Sequence, residues 1–86
     1  MIYGKEELLP RVEQAVPLDN YNLLLTFNNG ERRQFDVTPL FQLPMYQNLK
    51  KVFPLVTVQY GTVLWPGDLD ISPDTLYLQG TPVSKE

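Results

Sequence analysis

Tyr21-Asn22-Leu23-Leu24-Leu25-Thr26-Phe27-Asn28-Asn29-Gly30-Glu31-Arg32-Arg33-Gln34-Phe35-Asp36-Val37 is the stretch that decides the fold. Its first seven residues are rich in strand formers and carry apolar or aromatic side chains at every second position, 21, 23, 25 and 27. That alternation is the signature of a strand with one buried face. Asn28-Asn29-Gly30 supplies turn chemistry, and Glu31–Val37 reads as the returning strand. Two registers compete. A two-residue turn on Asn29-Gly30 pairs Asn28 with Glu31 and sets Phe35 and Val37 opposite Leu24 and Asn22. A three-residue loop pairs Phe27 with Glu31, Leu23 with Phe35 and Tyr21 with Val37. Only the second gathers Tyr21, Leu23, Leu25, Phe27, Phe35 and Val37 on one face, and a slip of one residue turns half of them into water. The three-residue loop is therefore predicted, with Gly30 in the left-handed position of a bulge.

Outward from the hairpin, eight prolines cut the chain into short pieces, because proline fits neither a central strand nor a helix interior. Arg11–Leu18 is compatible with a first strand whose end, at Pro17, lies on a sheet edge. Leu18-Asp19-Asn20 reads as a turn. Thr38-Pro39 looks like a helix start, with Thr38 as N-cap and Pro39 at the first helical position. Tyr46, Leu49, Val52 and Phe53 share one helical face, which predicts a helix over about 46–53, closed by Pro54. Leu55–Gln59 and Thr62–Trp65 flank Tyr60-Gly61 as a second, tighter hairpin. Leu69-Asp70-Ile71 reads as a brief edge, and Ser72-Pro73-Asp74 as an N-cap opening one helical turn through Leu76 or Tyr77. Gly80, Pro82 and a polar tail end the fold. The expected class is α+β: an antiparallel sheet of two hairpins plus an N-terminal strand, one face covered by the 46–53 helix. The expected division is an N-terminal arm over 1–9, a single domain over 10–82 and a tail over 83–86.

With 86 residues the chain has room for one domain. The net charge of −3 disfavours general affinity for phosphate backbones. Cysteine and histidine are both absent. Disulfides, thiolate nucleophiles, Cys/His zinc sites and Ser-His-Asp triads are thereby excluded. General acid–base chemistry would need a carboxylate, Lys or Tyr with a strongly shifted pKa. No apolar run approaches the roughly 18 residues of a membrane span, and the N-terminus lacks a signal peptide's apolar core. The cytoplasm is the expected compartment, with no cofactor and no membrane partner.

Three stretches, in order and spacing, carry a likeness. They are Leu25-Thr26-Phe27-Asn28-Asn29-Gly30-Glu31 running into Phe35-Asp36-Val37, then Leu49-Lys50-Lys51-Val52-Phe53, then Trp65-Pro66-Gly67-Asp68-Leu69-Asp70-Ile71-Ser72-Pro73-Asp74-Thr75-Leu76-Tyr77. Together they resemble the bacterial domain-of-unknown-function family 2442 over about residues 10–80. The resemblance implies a small prokaryotic α+β domain with no defining activity and no catalytic residues to transfer. It further implies two settings: fusion to a helix-turn-helix domain, or a stand-alone partner of a small neighbouring protein in a toxin–antitoxin-like arrangement. The chain ends at Glu86, too soon for a helix-turn-helix, so direct nucleic-acid binding by that route is not expected.

Several side chains are weighed for a functional role. Asp68, Asp70 and Asp74, with Asp36, offer the hard oxygen ligands that Mg²⁺ or Ca²⁺ prefers. Their spacing fails the Ca²⁺-loop pattern, and a turn, an edge and a helix start account for them equally well. The pairs Arg32-Arg33 and Lys50-Lys51 would form an anion-binding patch if the return strand lies beside the helix. In the chosen register Arg33 shares the apolar face, so it must snorkel or pair with a carboxylate near Asp36 in space. Trp65 and Tyr77 are core if buried and contact anchors if exposed. Ser72 is an N-cap rather than a nucleophile. The function expected is a non-enzymatic protein-interaction or regulatory module, antitoxin-like or homodimeric. Trp65, Asp68, Asp70, Asp74, Tyr77, Arg32 and Arg33 are its expected surface, and no metal or catalytic residue is assigned. The alternative is a small-ligand or metal-binding regulatory domain that uses the Asp68–Asp74 carboxylates or the basic pairs.

Overall fold

Residues 9–83 are described by a computed structural model. The central hairpin takes the three-residue loop. Strand β2 (Asn22–Phe27) pairs antiparallel with β3 (Arg32–Asp36), with Leu23 opposite Phe35 and Leu25 opposite Arg33. At the loop, the Phe27 N–H donates to Glu31 O (2.8 Å) and the Gly30 N–H to Phe27 O (2.9 Å). Gly30 sits at φ 89°, the left-handed backbone that the bulge requires. Strand β1 (Val12–Leu18) adds to the other side of β2 across a bulge between Val12 and Gln14. A 3-10 turn at Asp19–Tyr21 joins them, with Asn20 and Tyr21 both left-handed.

The fold is α+β, and its strands fall into two antiparallel sheets. The first has the order β1-β2-β3-β7, where β7 is Thr81–Pro82. The second is β4 (Thr57–Gln59), β5 (Thr62–Trp65) and β6 (Leu69–Ile71). The expected single sheet thus resolves into a sheet for each hairpin. Tyr60 (φ 55°) and Gly61 (φ 77°) form the tight turn between β4 and β5, whose backbone twist matches a hairpin. Here the Val12 N–H donates to Gly61 O (2.9 Å), tying the sheets together at one corner. Between them lies the core, where Leu23, Leu25, Phe27, Val37, Leu49, Val63 and Leu76 are fully buried.

Two helical expectations are corrected. The 46–53 helix is only four residues long as α1 (Leu49–Val52), set between 3-10 turns at Pro44–Tyr46 and Phe53–Leu55. No side chain caps α1, and prolines 44 and 54 interrupt the backbone ladder on either side. The predicted face survives: Leu49 and Phe53 are buried, and Tyr46 and Val52 pack against the core. Thr38 is not an N-cap. It opens a 3-10 helix (Thr38–Gln42), and both its N–H (2.9 Å) and its hydroxyl (2.8 Å) donate to Asp36 Oδ1, as in an Asx turn.

At the other end the N-cap reading holds. The Ser72 hydroxyl oxygen accepts the Asp74 N–H, and α2 (Pro73–Gln79) runs longer than the one turn expected. After Gly80 the chain pairs with β3, and the Val83 N–H donates to Arg32 O (3.0 Å). Val83, assigned to the tail, is therefore bonded into the sheet. Residues 1–8 of the expected arm and 84–86 of the expected tail lie outside the described residues. Among the described residues, no helix is long and apolar enough to cross a membrane.

Candidate functional site

The hairpin register fixes two faces of the four-stranded sheet. One packs on the core. The other carries Gln14, Thr26 and Arg32 in one row, Val16, Leu24 and Gln34 in the next, and Leu18, Asn22 and Asp36 in the third. Val16, Leu18 and Leu24 are absent from the core and from the side chains packed against it. Val16 is 47% exposed and Leu24 is half-buried. Gln34 donates to Asn22 Oδ1 (3.1 Å) within this surface. Arg32 and Asp36 are both exposed at opposite ends of β3, roughly 13 Å apart along the strand. Asp36 uses Oδ1 for both bonds to Thr38, which leaves Oδ2 for a cation.

Beside this face two hollows open along β3. One, of about 540 Å³, lies among Asn22, Gln34, Asp36, Pro39, Leu40 and Thr81. The other is of similar size and lies at the loop end, among Asn29, Gly30, Arg32 and Val83. Side-chain amides, a hydroxyl, the Asp36 carboxylate and aliphatic edges line the first.

Both rims of the four-stranded sheet, and β6 in the smaller one, carry features that hinder pairing. The Phe27-to-Glu31 bond turns the backbone groups of Asn22, Leu24 and Thr26 toward β1, so on β1 the outward-pointing positions include Pro17. The Val83-to-Arg32 bond likewise turns Pro82 outward on β7. Each rim of the large sheet thus places a residue without an N–H where an incoming strand would need one. On β6 the Asp70 carbonyl accepts the Tyr46 hydroxyl (2.8 Å). Burial, and then the Asp70 charge, raise the Tyr46 pKa above its ordinary value.

The expected site residues do not gather. Trp65 is core: it is 3% exposed, its Nε1 donates to Phe53 O (3.0 Å), and its ring stacks on Phe53. It is packing, not a contact anchor. Tyr77 is half-buried, edge-on to Phe27, and its hydroxyl donates to Glu31 Oε2 (3.0 Å). Arg33 finds its carboxylate in Glu31 (2.9 Å), two residues earlier on the same face, and not near Asp36. It also donates to Gly80 O (3.3 Å). The Arg33 hydrogen bond, then that of Tyr77, hold the Glu31 pKa below its ordinary value. Arg32 points to the opposite face, because successive strand residues alternate. Lys50 sits 5.7 Å from the Phe41 ring and Lys51 is exposed, while Arg32 and Arg33, on opposite faces of β3, form no patch with each other. Asp68 occupies a left-handed turn position (φ 63°), Asp70 lies on β6 and Asp74 in the first turn of α2. No three acidic groups come together to hold a metal among the described residues. Sequence reading missed the outward row, although Leu24 stands at an outward position in the chosen register.

Fold and surface together define a small two-sheet α+β domain with one sheet face that no described element covers. The chain belongs to the family described as Protein of unknown function (DUF2442), whose profile matches residues 12–82. No curated protein and no solved structure matches the chain.

Proposed function

We propose that this domain is a non-enzymatic interaction module that docks another polypeptide on the open face of its four-stranded sheet. One observation carries the reading. Val16, Leu18 and Leu24 form an apolar patch that runs from the middle of the face to its β1 edge, that no described element covers, and that amides, a hydroxyl, one cation and one carboxylate flank on its other sides. An apolar patch bordered by polar groups is the usual anatomy of a protein interface. Docking uses the face because the prolines hinder pairing at the rims of that sheet. A photo-cross-linking residue at position 24, compared with one at position 60, tests this in the native host. Tyr60 is 84% exposed and lies in the turn between the two strands β4 and β5 of the other sheet. A discrete product from position 24 alone, to this chain or to one identified small protein of the antitoxin-partner kind, supports the reading. No product from position 24, or the same products from both, removes it.

The hollow beside Gln34 and Thr81 favours a second reading, a small polar ligand. Saturable stabilisation by a neutral polar metabolite, lost in Gln34→Ala, would favour that instead.

A further inference from the structure

The open face is complementary to itself, and we infer that its occupant is a second copy of the chain, docked face to face about a two-fold axis perpendicular to the strands. This rests on the docking reading above. The axis passes through the row Val16–Leu24–Gln34. Rotation about it exchanges the two outer rows and leaves each strand facing its own copy. Leu24 then meets Leu24, Val16 meets Val16 and Gln34 meets Gln34, while Thr26 faces Asn22 and Gln14 faces Leu18. Arg32 of each copy meets Asp36 of the other, at the Oδ2 that Thr38 leaves open.

Charge selects this arrangement over its rival. With the axis along the strands, β1 would face β3, Arg32 would meet Gln14 and Asp36 would meet Leu18, leaving both charges without a counterpart. Among the described residues Arg32 makes no ion pair, and the single salt bridge is that of Arg33 with Glu31. The same rotation carries the Pro39–Leu40 turn, at the Asp36 end of β3, toward the hollow at the Arg32 end of the other copy. Twisted sheets packed face to face accept this alignment with about 30° between strand directions.

The area sets the strength. Three strands by five residues, with the two-residue β7 beside them, present roughly 250–300 Å² per copy, well below the roughly 800 Å² per partner of a standard stable interface. The dimer is therefore a weak, concentration-dependent one.

Sedimentation equilibrium on the full chain, from about 20 µM to about 1 mM, reads the association directly. Wild type is expected to dimerise within that range. Arg32→Asp and Asp36→Arg each weaken it about tenfold, and the double swap restores it. Because Asp36→Arg also removes the Thr38 bonds, circular dichroism accompanies it. Gln34→Cys gives a reading that does not depend on that variant: the chain has no cysteine, Gln34 lies on the axis, and a short bismaleimide should join two copies there but not at Tyr60→Cys. A monomer at the highest concentration, or a dimer unchanged by the swaps with equal cross-linking at both positions, overturns the inference. In that event a position-24 photoproduct with a different protein leaves the docking reading standing. No position-24 product at all removes both.

Discussion

Arg33 lies over the ring of Tyr77, its guanidinium carbon 4.0 Å from the ring centroid. The contact joins β3 to α2, two elements far apart in the chain. Glu31 completes it by accepting from both side chains, and Arg33 reaches on to Gly80 O. A cation placed on the apolar face is thereby neutralised, stacked and hydrogen-bonded, which is how a strand can keep Arg at an inward position.

Arg33→Ala removes the stacking, the ion pair and the stem that covers Gly80. The expected loss is about 1–3 kcal/mol of unfolding free energy by urea titration. Arg32→Ala, one residue away on the open face, is expected to change stability by less than about 0.5 kcal/mol. Equal losses for the two would show that the face assignment of β3 is wrong.

Glu31 links the same cluster to pH. Its pKa is lower in the fold than its ordinary value of 4.5, so the folded state holds the carboxylate more firmly than the unfolded chain does. The stability it contributes is present above the unfolded value and is lost as pH falls through the folded one. Glu31→Gln should therefore flatten the acid limb of the melting temperature below about pH 4.5. A limb as steep as wild type in Glu31→Gln would assign the acid sensitivity to other carboxylates.

How much of this was legible depended on whether a pattern had one physical solution. The hairpin did: only the three-residue loop put Phe35 and Val37 on the face of Leu23 and Leu25, and Phe35 is found opposite Leu23. The apolar spacing of Tyr46, Leu49, Val52 and Phe53 did not, because a row of 3-10 turns punctuated by prolines buries much the same face as one helix. Strand β7 left almost no signal. It is two residues long, and one of them is proline, normally a mark against a strand. The open face was half legible. Leu24 was visibly outward, but its neighbours Val16 and Leu18 needed the β1 register, which a bulge shifts.

The glycines separate two causes of strain. A Cβ at Gly80 would come 2.6 Å from the Leu76 carbonyl and 3.2 Å from Arg33 Cβ. Gly80→Ala is therefore expected to cost about 2 kcal/mol or more, through displacement of the α2 end. Gly30 has open space around it, and only its φ of 89° resists a side chain. Gly30→Ala should cost about 1 kcal/mol, with Gly30→Asn milder. Chemical denaturation of the three variants checks the order Gly80→Ala, Gly30→Ala, Gly30→Asn.

Pro17 and Pro82 make the last prediction, because their role concerns what the molecule avoids. Each stands at the outward position of an edge strand, where the only effect of the missing N–H on the native fold is to leave the rim without a donor. Replacing both with valine supplies two donors and two strong strand formers at the rims. Native stability should change by less than about 1 kcal/mol, while light scattering on heating should begin at a lower temperature and at lower protein concentration than in wild type. The single variants should fall between, since each opens one rim. Valine at both positions with no change in aggregation onset would mean that the rims are protected by something other than their prolines.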